Sequence, residues 1–282
     1  HVPPNLHIVI LSRIVPSLPI SKFRSKSQLT ELYASDLRFT LKETEAFLNQ
    51  TMQLNLEKNE TDLLEEKTEG WIVGLQLAAL SIPYSSSSKD YIENFSGSDR
   101  YVTDYLIDEV ISIQSSEMQE FLFKTSFLDR FCADLCEAIT GARKSSSILE
   151  TLDASNLFIL PLDNQRKWYR YHHLFADLLQ TKFEKEFPQK CFEIYLKAYH
   201  WCIEEGLFEE AIQYAIKGKH FFQAADTIKK MGIEVFWRNQ KLMARDWLNA
   251  LPDQLIFSDP QLSILQGYIA IGEGRLRDSE LV

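Results

Sequence analysis

The stretch Leu157–His173, "LFILPLDNQRKWYRYHH", sets the tightest limit on the fold. Two apolar or aromatic runs flank the polar "DNQRK", which reads as a β-hairpin with a loop of about five residues. Around it, from Asp99 to about Phe187, apolar residues recur at three-to-four spacing in "YVTDYLIDEVISIQ", "SEMQEFLFKTS", "ADLCEAITG", "SSSILETLDAS" and "LFADLLQTKFEKEF". That spacing is one face of a helix. Helices followed by a single hairpin is the layout of a winged helix. DNA binding is the default role of that layout, yet these helices carry more acid than base. The whole chain repeats the imbalance, with 30 Lys and Arg against 40 Asp and Glu.

On the N-terminal side, "LHIVIL" (Leu6–Leu11) is β-branched and continuously apolar, as expected for a strand buried on both faces of a parallel sheet. A Pro-punctuated loop follows, with one more short strand expected around Leu29–Leu32. In "FTLKETEAFLN", Thr40 and Glu43 have capping-box spacing ahead of apolar Leu41, Phe47 and Leu48, so a helix starts there. Helices continue through "ETDLLEEKTEG" and "WIVGLQLAALSI". "PYSSSSKD" reads as a flexible surface loop or linker.

From Gln189 onward the pattern is helix in pairs: "CFEIYLKAYHWCIEEG" with "LFEEAIQYAIKGK", "HFFQAADTIKKMG" with "IEVFWRNQ", and "KLMARDWLNALP" with "PQLSILQGYIAIGEG". Small residues recur where packed helices must approach closely. The period is irregular, so the reading is a tetratricopeptide-like α-solenoid, an architecture that exposes concave binding surfaces.

Several function classes are excluded or weakened. The net charge of −10 argues against a whole-chain nucleic-acid binder. The four cysteines are too few and scattered for a disulfide framework. Cys132 and Cys136 share one helix face, but no second Cys or His pair with ligand spacing accompanies them, so two small buried thiols are the expectation over zinc. There is no run of about 18 apolar residues and no signal-peptide pattern, which points to the cytoplasm and away from membranes. The chain opens on His1 and stops at Val282 just into a new amphipathic segment, so a piece of a longer protein is expected. No G-x-x-x-x-G-K-[ST] and no strand ending in an Asp pair occurs, so the chain as it stands is expected neither to hydrolyse ATP nor, lacking a basic recognition helix, to bind DNA.

"LSR" after the first strand, "RFTLKETEAFL", "TEGWIVGLQLAALSI" and "LFILPLDNQRKWYRYHHLFADLLQ" occur in a fixed order ahead of the helical pairs. This order closely resembles the large LuxR-type, ATP-dependent transcriptional activators of the maltose-regulon group, within the signal-transduction ATPases with numerous domains. The resemblance covers essentially the whole chain. It implies a mainly α chain: the end of a P-loop α/β domain at 1–39, a small helical domain and linker at 40–98, a winged helix at 99–188, and the start of a superhelical sensor at 189–282.

The same resemblance implies a nucleotide site. Arg13 matches the family's sensor-1 arginine, a cation at a strand's C-terminal end that meets the outer phosphate of ATP. "GLQLAAL" is similar to the "GLPLAL" segment whose helix start packs against adenine; Gly74 would let the backbone approach the base, and Gln76 stands where the family has Pro. "YHHLFADLL" is similar to "MHDLVRDLA", which puts His172 at the histidine that contacts the β-phosphate of ADP, with His173 replacing the motif's Asp. Each has a plainer reading: Arg13 an ordinary loop arginine, Gly74 a close helix contact, His172 and His173 a capping and packing pair, Trp71 core.

Two functions follow. The first is the central regulatory part of an ATP-gated activator, with ATP or ADP and Mg held by the complete protein and not tightly by this chain. A small-molecule or protein inducer would bind the solenoid, the complete protein would self-associate, and DNA would be met only through a C-terminal helix-turn-helix. The second is a stand-alone winged-helix and solenoid scaffold for a protein partner.

Overall fold

The computed structural model describes residues 7–12, 16, 18–237 and 240–272. In chain order the elements are α1 (Ile20–Ser25), α2 (Leu41–Ala46), α3 (Lys58–Thr68), α4 (Ile72–Ser81), α5 (Ser88–Asn94), α6 (Arg100–Leu106), α7 (Ser116–Thr125), α8 (Ala133–Thr140) and α9 (Ser145–Ala154). Next come β1 (Ile159–Pro161), β2 (Tyr169–Tyr171), α10 (His173–Glu186), α11 (Pro188–Glu204), α12 (Phe208–Lys217), α13 (Phe221–Trp237), α14 (Lys241–Asn249), α15 (Asp253–Ser258) and α16 (Pro260–Gly272). The chain is mainly helical. Contacts divide it into two compact units, one of residues 1–133 with 144–181, the other of 134–143 with 182–282.

The first unit is nucleated by local chemistry that the sequence announces. Thr40 Oγ1 accepts from the Glu43 amide, and the Glu43 carboxylate accepts the Thr40 amide at 2.9 Å, so the capping box forms at the start of α2. α3 begins with a second such box, Glu57 with Glu60. The serine-rich stretch is not an open linker. A 3₁₀ turn spans Ile82–Tyr84, Ser85 Oγ donates to the Ile82 carbonyl, Ser87 Oγ accepts from the Asp90 amide to cap α5, and Ser88 Oγ donates to the Glu60 carboxylate. Leu48, Leu64, Leu75, Ile92, Leu106, Leu122, Phe127, Phe131 and Phe175 are fully buried and form this unit's core.

The hairpin lies where expected. β1 and β2 pair antiparallel with Ile159 opposite Tyr171 and Pro161 opposite Tyr169. Leu162 N–H donates to the Trp168 carbonyl at 2.8 Å, leaving Asp163–Lys167 as the loop. The Asp163 carboxylate accepts the Lys167 and Trp168 amides, which closes that loop and holds the carboxyl below the usual carboxylate range. Phe131 bridges Tyr169 through two backbone bonds of 2.8 Å, adding a third short segment to the ribbon. Tyr171 Oη and Thr125 Oγ1 lie 2.7 Å apart and tie the ribbon to α7.

Two expected strands do not form. Leu6 lies outside the described residues, and residues 7–12 carry no strand; Val9 is 85% and Leu11 94% exposed. A parallel strand exists only against neighbours, and among the described residues no other segment pairs with it. Around Leu29–Leu32 the chain is irregular and leads into a 3₁₀ turn at Ala34–Leu37, with Arg24 paired to Glu31 at 2.8 Å.

In the second unit, α11 packs on α12, α12 on α13 and α13 on α14, with α16 against α13, α14 and α15. Ala198, Ala211, Ala215 and Ala224 are fully buried, the small residues that let helix axes approach. The expected break between "HFFQAADTIKKMG" and "IEVFWRNQ" does not occur: one helix, α13, runs from Phe221 to Trp237, with Gly232 in its interior without ending it. The short α15 was not foreseen. All four cysteines are buried and none forms a disulfide, Cys132 and Cys136 among them. Among the described residues no group of three or more His, Cys, Asp or Glu could hold a metal, and no helix is long and apolar enough to cross a membrane.

Candidate functional site

The turn between α3 and α4 is where the family-like residues converge. α3 ends at Glu69 in the left-handed region, φ 50° and ψ 36°, and Gly70 follows at φ +67°. A Cβ on Gly70 would stand 2.4 Å from the Phe39 carbonyl oxygen, so only glycine fits there. Phe39 N–H donates to the Gly70 carbonyl at 2.9 Å, pinning the segment before α2 to this turn.

Gly74 has a packing role in this fold. A Cβ there would meet Trp71 Cε3 at 2.7 Å and Leu174 Cδ1 at 3.4 Å. The bare backbone lets the indole fold over the first turn of α4. Trp71 is then held edge-on by Phe158 at 5.1 Å and His172 at 5.8 Å, with Tyr105 at 5.8 Å. The opening "GWIVG" spacing thus makes an aromatic cluster between α4, α6 and the hairpin. Gln76 is exposed on the outer side of α4 and joins none of this.

His172 sits beneath that cluster, 4% exposed. Its Nε2 lies 2.9 Å from the Thr68 carbonyl, which can only accept, so Nε2 carries the hydrogen. Nδ1 then presents a bare lone pair, and it is buried without a hydrogen-bond partner. Burial pushes the imidazole down to about 4, against the pull of the Glu69 charge and the Thr68 bond, so the ring is neutral at physiological pH.

Glu69 is the hub that sequence reasoning missed. Arg170, on β2, donates from Nη1 to Oε1 at 2.8 Å and from Nη2 to Oε2 at 2.9 Å. Arg38 Nη1 reaches Oε2 at 3.3 Å, and the His173 amide donates to Oε1 at 3.3 Å. Burial alone would raise this carboxyl. The Arg170 hydrogen bonds, the charge His172 takes on below about 4, the Arg170 charge and the His173 amide together outweigh it and hold it down to about 2. Arg38, Glu69 and Arg170 carried no local signal beyond "TEG", because their pairing spans 31 and 101 residues of chain.

Of the four residues assigned from the resemblance, Gly74 and His172 come together around Trp71, Gln76 stands apart, and Arg13 lies outside the described residues.

This arrangement, a helix-and-hairpin ribbon in a mainly helical chain, is that of a winged-helix-bearing protein. Residues 107–191 match the MalT winged helix domain. Over 277 residues, 98% of its length, the chain is 31% identical to the HTH-type transcriptional regulator MalT of Yersinia pestis (strain Pestoides F), and equally to that of Yersinia pseudotuberculosis serotype O:3 (strain YPIII). It is 29% identical over 277 residues to the MalT of Serratia proteamaculans (strain 568). Over nearly its whole length the chain is thus similar to part of the MalT transcriptional regulators, with a MalT-type winged helix at 107–191. It spans 31% of the length of these relatives.

Proposed function

We propose that this chain is the central regulatory part of an ATP-gated, inducer-responsive transcriptional activator. The observation that carries the reading is the likeness to MalT regulators across 98% of the chain. Residues 1–39 end a P-loop domain, 40–98 form the small helical domain, and α11–α16 begin a tetratricopeptide-like solenoid that receives a small-molecule or protein inducer. Exchange of ADP for ATP, with inducer bound, opens the molecule to self-association in the cytoplasm. DNA is met by a helix-turn-helix elsewhere in the complete protein.

In this reading ATP or ADP with Mg is held mainly by a P-loop outside the chain, since its amides and Lys with the metal supply most of the phosphate stabilisation. Arg13 meets the outer phosphate, Gly74 and Gln76 lie along the adenine, and His172 meets the β-phosphate of ADP. The unpartnered Nδ1 of His172 supports that last role. A phosphate oxygen only accepts, so Nδ1 can bind it only after taking a proton; the imidazolium is the phosphate-binding form, and a bound phosphate raises its proton affinity.

Sedimentation of the complete protein tests the reading: ATP with inducer should give multimers and ADP should give monomers. Nucleotide-independent assembly overturns it. The 282-residue chain alone should show no ATP turnover and at most weak adenine-nucleotide binding.

A further inference from the structure

Glu69 has two guanidinium neighbours and engages them unequally. Arg170 spans both carboxylate oxygens, at 2.8 and 2.9 Å. Arg38 makes one contact, at 3.3 Å. Oε1 additionally faces the His173 amide and His173 Nδ1, each at 3.3 Å. Without Arg38, both carboxylate oxygens keep Arg170 and Oε1 keeps the His173 amide, so Glu69 retains its main charge partner. The Arg38 side chain is 33% exposed, so water can replace its contact at small cost, whereas the Glu69 side chain is only 9% exposed.

What hangs on Arg38 is the segment entering α2. Phe39 N–H donates to the Gly70 carbonyl, and Thr40 caps α2, so residues 38–40 leave the turn only if the Arg38 contact and the Phe39 bond open together. The turn itself stays fixed to β2 through Arg170 and to the His172 ring through Thr68.

We propose that Arg38–Glu69 is a releasable latch: its opening frees the segment before α2 from the α3–α4 turn while the Glu69–Arg170 pair keeps that turn on the winged helix. The latch stands independently of the nucleotide reading. It would let the N-terminal part of the chain move without disturbing the Trp71–His172 cluster.

Amide hydrogen exchange on the 282-residue chain tests it. The reporters are the Phe39 amide for the latch and the Tyr169 and His172 amides for the hairpin, bonded to Phe131 and Phe158. Arg38→Gln should speed Phe39 exchange about three- to fivefold, the worth of a partly exposed ion pair, and leave Tyr169 and His172 unchanged within about 1.5-fold. Arg38→Lys, which keeps the charge, should fall between. Glu69→Gln should loosen both sets. Raising salt from about 50 to about 500 mM should speed Phe39 exchange in the native chain and not in Arg38→Gln, because screening acts on the ion pair. Phe39 protection unchanged in Arg38→Gln, equal loosening at Tyr169, or a salt response that persists without Arg38 each overturns the latch.

Discussion

Glu69 and Arg170, 101 residues apart in sequence, meet in a two-point ion pair with both oxygens and both terminal nitrogens engaged. The pair joins the end of α3 to the second hairpin strand. It sits beside a neutral histidine whose ring is bonded to the carbonyl one residue before Glu69. The joint between the small helices and the winged helix is thus held by one carboxylate, one carbonyl and an aromatic cluster.

Removing one partner of that pair should destabilise the first unit. Glu69→Ala leaves Arg170 half-buried without its carboxylate, and Arg170→Ala leaves Glu69 buried without its cation. Each should cost about 2–3 kcal/mol, below the range for fully buried pairs because the Arg170 side chain is 30% exposed. A double-mutant cycle by urea denaturation should give strong coupling; additive losses would mean that the pair contributes nothing of its own.

Stability should fall on acidification in two stages. His172 is held down to about 4 in the fold, while an unfolded histidine titrates near 6.5. Between those values the unfolded chain binds the extra proton and the folded one does not, so stability drops as pH falls, by up to about 3 kcal/mol. Glu69 is held down to about 2, so its contribution is present above about 4.5 and is lost as pH falls through 2. His172→Gln should flatten the first stage and, by removing a positive charge that helps hold the Glu69 carboxyl down, move the second to higher pH. Denaturation midpoints across about pH 1.5–7 check this, and an unaltered slope in the variant between about pH 4 and 6.5 refutes it.

Gly74 and Gln76 should separate cleanly. Gly74→Ala drives a methyl into the Trp71 ring and should cost about 1–3 kcal/mol through displacement of the indole from Phe158 and His172. Gln76 is exposed, so Gln76→Ala should change stability by less than about 0.5 kcal/mol. Equal thermal shifts in the two variants would contradict this account of Gly74.

How much of this was legible follows from the range of each interaction. The Thr40–Glu43 box and the "DNQRK" loop are closed by residues within five positions of one another, so side-chain chemistry names them directly. Trp71 as packing rather than surface follows from its place in an apolar helix start. Glu69, Arg170 and Arg38 were invisible because ion pairs across 101 and 31 residues leave no periodicity. "LHIVIL" is the converse case: an apolar run reports that something should cover it, and no segment among the described residues pairs with residues 7–12. The continuation of α13 through Gly232 is tertiary packing overriding a local preference.

The nucleotide reading makes its sharpest demand on the complete protein. If His172 holds the β-phosphate of ADP, it stabilises the closed, resting state; a hydrogen bond to a charged group contributes about 1.5–3 kcal/mol, so its loss should shift the closed–open balance roughly ten- to a hundredfold. His172→Ala should then raise inducer-independent reporter output. It also deprives the Thr68 carbonyl of its imidazole donor, so the variant's abundance must be matched to the native protein's before outputs are compared. Arg13→Ala, which removes the contact favouring ATP, should lower output even with inducer. A merely structural His172 predicts a fall in both variants, because lost stability cannot activate. Opposite movement of the two at equal protein levels is the outcome that supports the clamp. An equal fall removes it and leaves His172 as the bolt between Thr68 and Trp71.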